Sequence, residues 1–191
     1  MNIEADNLAA FSSVCFSMTR TLRTTLILFS LLGLYASAES PIKPGSELTL
    51  ISHAFELADG PAWNGWSLTV PDPLGQETKR WIPAKDEWSP QYKGKRFSAS
   101  FFNHGHHYFS DNGNGAILKR DYLTKELEVL HQEDLEADKT RKPNDLVVDR
   151  SGGIYFTLTR AGQVIYVSPD GESSVAAEGV ETANGIILSP D

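Results

Sequence analysis

The fold is decided by the stretch KPNDLVVDRSGGIYFT at residues 142–157. The apolar run 146–148 and the β-branched and aromatic run 154–157 are typical of short strands, and Ser151-Gly152-Gly153 between them is typical of a tight turn. The polar pair Asn144-Asp145 stands directly ahead of the first strand, where side chains can point into a cavity. The same opening recurs at residues 184–191 as NGIILSPD. This recurrence predicts a repeating β structure with polar residues at its strand starts.

Working outward, strand and turn patterns repeat along the chain. The nine-residue spacing from Tyr108 to Ile117 returns between Tyr155 and Val164. The predicted strands are HYFS at 107–110, AILKR at 116–120, LEVL at 127–130, IYFT at 154–157, QVIYV at 163–167, SSVAA at 173–177, and, in a first unit, WSLTV at 66–70 and KRWI at 79–82. A period of about 40–45 residues with four strands a unit is typical of a β-propeller blade.

This period predicts an all-β chain that covers roughly three and a half blades of a propeller. Helical solenoids share the period, but the turns come too often here for long helices. Because a propeller needs ring closure to protect its strand edges, we expect the chain to be the N-terminal part of a longer protein.

The first 38 residues read as a targeting segment. Arg20 and Arg23 form a basic region, residues 26–35 form an apolar run, and Ala36-Ser37-Ala38 fits a signal-peptidase site. The run is shorter than the roughly 20 apolar residues that span a bilayer; the alternative is a buried helix. We expect residues 1–38 to be upstream residues plus a secretory signal, translated from Met1 or Met18, and residues 39–191 to be the exported partial propeller, periplasmic or extracellular.

Composition narrows the possible partners. The formal net charge is −8, and a negative surface disfavours nucleic acids and anionic membranes. The single cysteine, Cys15, lies in the targeting segment. The exported part therefore has no disulfide, no thiolate metal site and no cysteine nucleophile, and no membrane partner is expected after signal cleavage.

Five motifs in the order and spacing of the blades carry a family resemblance. They are DGPAW at 59–63, PNDLVVD at 143–149, GIYFT at 153–157, VSPDG at 167–171 and NGIILSPD at 184–191. With these motifs, the chain resembles the gluconolactonase family, which also includes the senescence-marker protein regucalcin. The resemblance covers roughly residues 48–191. It implies a six-bladed propeller that holds one divalent cation in a central pocket and hydrolyses sugar lactones or related esters.

The resemblance also implies a set of metal ligands. Asp59 stands where the family normally has a glutamate ligand, and Asn184 matches an asparagine ligand, with Ala183 in place of the usual proline. Asn144 matches an asparagine on the pocket floor that contacts metal or substrate. The family's catalytic aspartate belongs to a later Pro-Asp-Gly motif, so the catalytic residue is expected beyond Asp191.

Two neighbours of Asn144 complete the predicted substrate site. Lys142 takes the place of an arginine that binds substrate oxygens in some members, or it is an ordinary solvated lysine. Asp145 is either an acid of the pocket or a cap of the turn. The family pattern is broken at Leu158, where many members have an aspartate after Tyr-Phe-Thr.

Oxygen donors from separate blades suit a hard cation, so Ca²⁺ is the expected cofactor, with Zn²⁺, Mg²⁺ and Mn²⁺ as alternatives. Such an ion polarises a lactone carbonyl and lowers the pKa of a bound water. The ordinary explanation of an asparagine before a strand is a turn. A non-catalytic propeller that binds a sugar or a protein through the same pocket is therefore the alternative function.

Two further groups of residues attract attention. The run His104-Gly105-His106-His107 offers imidazoles to a transition metal, but the repeat places it in the turn between two strands, on the face opposite the pocket. The four tryptophans could form a platform on which a sugar stacks, although packing between blades explains most of them: Trp63, Trp66, Trp81 and Trp88.

The targeting segment gives a first testable prediction. We expect signal peptidase to cut after Ala38 and leave Glu39 at the mature N-terminus, because small side chains at Ala36 and Ala38 fit the enzyme's recognition pattern. N-terminal sequencing of exported protein measures this directly. Mature protein that still carries residues 26–35 would contradict the prediction.

Overall fold

The computed structural model describes residues 42–189, so the predicted signal peptide lies outside the described residues. The chain divides into two compact units, residues 1–50 and residues 51–191. The described part of the first unit contains a turn in which the Ser46 N–H donates to the Lys43 carbonyl at 3.0 Å. Between residues 42 and 189, no helix has the length and apolar character that a membrane span requires.

The second unit contains twelve strands in three four-stranded antiparallel sheets. The first sheet comprises β1 Ala62–Trp63, β2 Leu68–Asp72, β3 Glu77–Ile82 and β4 Glu87–Lys93, with a 3₁₀ turn at Pro83–Lys85. The second comprises β5 Phe97–Asn103, β6 His106–Asp111, β7 Ala116–Asp121 and β8 Leu127–Gln132. The third comprises β9 Pro143–Val148, β10 Ile154–Leu158, β11 Gln163–Val167 and β12 Ser173–Glu178.

Each sheet is a meander in which consecutive strands pair, so its first and last strands form its two edges. In the third sheet β9 is mostly buried, whereas all six residues of β12 are exposed. The first strand is thus the inner edge of its sheet and the last strand is the outer edge. This arrangement confirms the predicted all-β class and the propeller blade; the number of six blades stays a prediction.

The pairing of strands confirms the repeat read from the sequence. Ser110 pairs with Ile117 in the second sheet, and Thr157 pairs with Val164 in the third. Because Ser110 and Thr157 each lie two residues after the repeated tyrosine, the nine-residue spacing marks the same point of both hairpins. A shared turn geometry therefore underlies the repeat.

Apolar side chains from neighbouring sheets pack into two clusters. The larger joins the second and third sheets and contains Tyr108, Ile117, Leu146, Val148, Ile154, Phe156, Leu158, Ile165 and Val167. In the smaller cluster, the rings of Phe97 and Phe109 stack with centroids 4.7 Å apart. Tyr92 of the first sheet meets both rings edge-on, at 5.5 and 5.2 Å. Each sheet thus buries its apolar surface against the next.

Two strand predictions were wrong. The strand predicted at 66–70 begins only at Leu68, because the Asn64 carboxamide oxygen accepts the N–H groups of Trp66 and Ser67 and holds Trp66 in a turn. The apolar run after Asn184 forms no strand, and Ile187 is 88% exposed. No described strand pairs with this run, and a strand persists only where its backbone groups find partners.

Residue 158 is leucine where many members of the family have aspartate, and the structure gives the reason: the Leu158 side chain is completely buried in the larger cluster. Leu158→Ala should lower the free energy of unfolding by about 2–5 kcal/mol through lost burial and the cavity left behind. Leu123→Ala is the matched control, since Leu123 is 88% exposed and such changes usually stay within about 0.5 kcal/mol. Urea unfolding followed by circular dichroism measures both, and equal losses would contradict the assignment of Leu158 to the core.

Candidate functional site

The predicted site residues gather at one end of the inner strands. Asp59 precedes β1, and Asn144 and Asp145 lie in the first half of β9. Lys142 comes directly before β9 and is half-buried. Asn184 is exposed and belongs to the segment that follows the third sheet. The fold therefore places the starts of β1 and β9 on either side of β5.

Asp59 is held beside β5 by a close contact of its neighbour Gly60. The Gly60 carbonyl accepts the N–H of Ser100 at 2.9 Å and its hydroxyl at 3.0 Å. A Cβ atom on Gly60 would lie 2.3 Å from the Cα of Ala99, and the φ angle of Gly60 is +43°. Only glycine allows this approach, so the Gly60 position fixes where Asp59 sits.

Asp72, which the sequence analysis did not single out, braces the segment that leads to Asp59. Its buried carboxylate accepts the N–H groups of Glu56 at 2.9 Å and Leu57 at 3.0 Å, and also caps the turn at Gly75 at 2.9 Å. Burial acts to raise the pKa of Asp72, but these N–H donors and the Lys79 ammonium together lower it below its ordinary value. The signal in the sequence was an aspartate two residues after a predicted strand, a common position for a turn cap.

Burial, a hydrogen bond and a neighbouring carboxylate act on the pKa of Asp59. Burial raises the pKa of the Asp59 carboxyl; the Gly60 N–H, which donates to Oδ1 at 3.0 Å, works in the opposite direction. The negative charge of Asp145 raises the pKa of Asp59 further. The structure therefore brings these two carboxylates close enough to repel each other.

Asn144 is positioned by residues of the second sheet. The Ser98 hydroxyl donates to the Asn144 carbonyl at 2.7 Å and lies 3.3 Å from the Pro143 carbonyl. The Asn112 side chain donates to the same Pro143 carbonyl at 3.0 Å. These contacts hold the backbone of Asn144, whose half-buried side chain is a separate oxygen donor. Nothing local in the sequence marks Ser98 or Asn112, because their partners lie more than thirty residues away.

Asp145 joins the third sheet to the segment that carries Asn184. One carboxylate oxygen accepts the N–H of Leu146 at 3.0 Å, and the other accepts the N–H of Ile186 at 3.1 Å. The Thr159 hydroxyl adds a hydrogen bond to the Ala183 carbonyl at 2.7 Å. The structure thus gives Asp145 a positioning task toward Asn184, while its contact with substrate stays a prediction.

An ion pair between the half-buried Arg141 and the buried Glu133 supports the connection into Lys142. Arg141 binds Glu133 through two nitrogens, with Nε–Oε2 at 2.5 Å and Nη2–Oε1 at 3.1 Å, and it donates to Gln163 at 2.9 Å. The hydrogen bonds that Arg141 donates to the Glu133 carboxylate raise the pKa of Arg141 above its ordinary value. A bidentate pair of this kind fixes both geometry and charge, so the residue before Lys142 is firmly anchored.

The predicted ligands fit a hard cation in their chemistry. Asp59, Asn144 and Asn184 all offer oxygen atoms, the ligands that a hard cation prefers, and burial together with the negative charge of Asp145 raises the pKa of Asp59. Within residues 42–189, no group of three or more His, Cys, Asp or Glu side chains is arranged to hold a metal ion. The three proposed ligands do not form a group of that kind, because two of them are asparagines.

The other candidates lie away from this end. His104 and Gly105 form the turn between β5 and β6, as the repeat predicted; His106 and His107, which were also expected in this turn, are instead the first two residues of β6. His107 is buried between Phe102 and Phe109, and burial, followed by the Arg120 charge, lowers its pKa to about 3. His107 is thus a neutral core residue. Trp81 and Trp88 stack on each other in the outer half of the first sheet, with centroids 6.1 Å apart.

A family model matches residues 57–191, and its description is the SMP-30/gluconolactonase/LRE-like region. Among characterised proteins, a gluconolactonase of Zymomonas mobilis is 26% identical over an alignment of 179 residues that covers 75% of this chain and 49% of the relative. The chain spans about half the length of the curated relative it matches.

Solved structures share the fold at low sequence identity. A structural-genomics protein assigned as a gluconolactonase matches with a TM-score of 0.62 at 18% identity, over 72% of this chain and 54% of that one. A gluconolactonase from Xanthomonas campestris gives 0.52 at 20%, over 63% and 47%. A chain of a nidogen–laminin complex gives 0.60 at 17%, over 73% and 55%. These likenesses establish the propeller fold alone.

The bracing role of Asp72 gives a testable prediction. Asp72→Asn should destabilise the protein by roughly 1–3 kcal/mol near neutral pH, because an amide N–H₂ would face backbone donors. Since the folded pKa of Asp72 is lowered, its contribution is present above the unfolded pKa and is lost as the pH falls through the folded value.

The difference in unfolding free energy between wild type and Asp72→Asn should therefore shrink below about pH 4. Urea titrations at a series of pH values measure it. Asp170→Asn, in an exposed turn of the third sheet, is the control and should show no such trend. A pH-independent difference would show that the carboxylate charge is not what Asp72 contributes.

Proposed function

Because the chain belongs to the SMP-30/gluconolactonase/LRE-like family, we propose that the protein is a metal-dependent hydrolase of sugar lactones or related esters. One observation carries the proposal. Asp59, Asn144 and Asn184 stand at the family's expected ligand positions, and hydrogen bonds of their own backbone or of adjacent residues link the three segments that carry them to β5 and β9. The alternative, a non-catalytic binding propeller, is not favoured by the match to a gluconolactonase.

We assign Asp59, Asn144 and Asn184 as ligands of one divalent cation. Ca²⁺ is the proposed ion because it takes about six to eight oxygen ligands in flexible geometry; Zn²⁺, Mg²⁺ and Mn²⁺ are the alternatives to be tested. When bound, such an ion supplies a Lewis acid that polarises the lactone carbonyl and lowers the pKa of a water. Its charge would also relieve the repulsion between Asp59 and Asp145.

The chain's own residues bind and orient the substrate in this proposal. The ammonium of Lys142, a half-buried residue, donates to substrate oxygens in this proposal, and the anchored Arg141 before it limits how far Lys142 moves. Asp145 keeps the Asn184 segment beside β9 through the Ile186 N–H. The proton-transferring aspartate is expected in the later Pro-Asp-Gly motif of the family pattern, so no described carboxylate is assigned that task.

The proposed setting is outside the cytoplasm, in the periplasm or the medium. This location rests on the signal pattern of residues 1–38. A small lactone derived from a sugar is the proposed substrate, and neither nucleic acid nor membrane is a proposed partner. Ca²⁺ is the proposed ion because Asp59, Asn144 and Asn184 offer only oxygen atoms, which hard cations prefer.

Substitution of the ligands tests the proposal in the form of the protein that carries the later motif. Asn184→Ala should weaken Ca²⁺ binding and reduce the rate of glucono-δ-lactone hydrolysis by about 10²–10³. High Ca²⁺ should restore much of that rate, because the loss lies in metal affinity. Asp59→Ala should abolish binding, whereas Asp59→Glu, which restores the family's usual ligand, should preserve it.

Calorimetric titration with Ca²⁺ and a pH-stat lactonase assay provide the two readouts. Asp170→Ala, in the exposed turn between β11 and β12, is the matched control and should leave both unchanged. Full activity and full affinity in both Asp59→Ala and Asn184→Ala would overturn the assignment of the site.

A further inference from the structure

A cavity opens between the first and second sheets, at the ends of β1 and β5 opposite to those that carry the proposed metal site. Its volume is about 360 Å³, within the range of small-molecule sites. The fold brings together here two groups that the sequence showed separately, the first tryptophans and the histidine turn. Its lining includes Trp63, Trp66, Phe102, Tyr122, His104 and His106.

Exposed aromatic rings define the cavity. Trp63 is 51% exposed and Trp66 is 46% exposed, so the packing of the sheets accounts for only half of each surface. Single exposed apolar side chains are ordinary, but a contiguous group around a concavity marks a binding site. By contrast, the stacked pair Trp81 and Trp88 is accounted for by its own contact.

The rings are held in place before any ligand arrives. The Asn64 carboxamide oxygen accepts the Trp66 N–H at 3.1 Å and the Ser67 N–H at 2.8 Å, which fixes the turn that presents Trp66. The Phe102 ring stacks on the buried His107 ring with centroids 3.8 Å apart. Rigid walls lower the entropy that binding must overcome.

Polar side chains stand beside the rings. The imidazole of His106 is 34% exposed, and its Nδ1 lies 3.7 Å from the Asp121 carboxylate, too far for a hydrogen bond. His104 is exposed in the adjoining turn, and the carboxamide of Asn64 lines the same cavity. Imidazole and amide groups can both donate and accept hydrogen bonds.

The chemistry of the lining selects among ligand classes. The Arg80 guanidinium already lies 5.4 Å from the Trp66 ring centroid, which disfavours a second cation on that ring. The net charge of −8 disfavours nucleic acid, and a purely apolar ligand would leave the imidazoles of His104 and His106 without hydrogen-bond partners. A pyranose fits, because its C–H faces pack on aromatic rings while its hydroxyls reach the polar rim.

We propose that this cavity is a binding site for neutral pyranose units, separate from the proposed metal site and independent of lactone hydrolysis. The inference rests on the exposed rings of Trp63 and Trp66, their fixed turn, and the imidazoles opposite. The unit bound is a free sugar or one residue of a longer glycan.

Isothermal titration of the chain with D-glucose, cellohexaose and chitohexaose tests the site and distinguishes the two sources. At least one of these probes should bind saturably, and Trp66→Ala should weaken that binding by about tenfold or more, since truncation of a central tryptophan commonly costs this much. Trp88→Phe is the matched control and should bind as wild type does. Circular dichroism verifies that each variant is folded, and Trp66→Phe, which keeps a ring, should retain part of the affinity if Trp66→Ala does not fold.

Two further measurements separate this site from others. Asp59→Ala should leave sugar binding unchanged, because Asp59 lies at the other end of β1. Choline chloride should not bind in the cavity. Binding of choline without sugar, an undiminished affinity in Trp66→Ala and Trp66→Phe, or no binding of any sugar probe would each overturn the proposal.

Discussion

The close approach of the inner strands is the constraint on which the structure depends. Each inner strand lies at the edge of its own sheet, so the carbonyl groups on its free side have no partner within that sheet. Burying these groups without hydrogen bonds would cost free energy. Ser98 and Ser100 on β5 supply those partners on both sides, to Asn144 and to Gly60. The contact with Gly60 is possible only because that residue has no side chain. Small residues on the inner strands thus replace the continuous hydrogen bonding that a single closed sheet would have.

The same contacts determine the candidate site. Asp59 and Asn144 are positioned through backbone groups next to them or within them, so their side chains remain available for a ligand. Carboxylates elsewhere act on the backbone: Asp72 braces the segment before β1, and Asp145 holds the segment with Asn184. In the second sheet the residue equivalent to Leu158 is Asp111, which caps its turn through Asn114. In the third sheet this position is Leu158, whose buried side chain belongs to the larger apolar cluster.

The two ends of the inner strands differ in chemistry, although the same strands build both. One end gathers carboxylates and amides and suits a cation; the other gathers exposed rings and imidazoles around a cavity. A propeller also occurs in a nidogen–laminin complex at a similar TM-score, so the fold by itself does not decide function. Function depends on the side chains at each end of the strands. The proposed metal ligands and the proposed sugar site are therefore tested by different variants.

The sequence alone determined most of the strands and their repeat, but it gave no prediction of β1, β4 and β5. The run 163–167 is β11 from its first residue to its last, and the tyrosine spacing marks equivalent points of two hairpins. Alternation and turn residues are local, so a single chain displays them. Only the tertiary structure decided that Trp66 belongs to a turn, that Asp145 reaches Ile186, and that Asp59 feels the charge of Asp145. The contacts of Asp145 with Ile186 and with Asp59 join segments that are far apart in the sequence. No local sequence pattern shows which distant side chains meet.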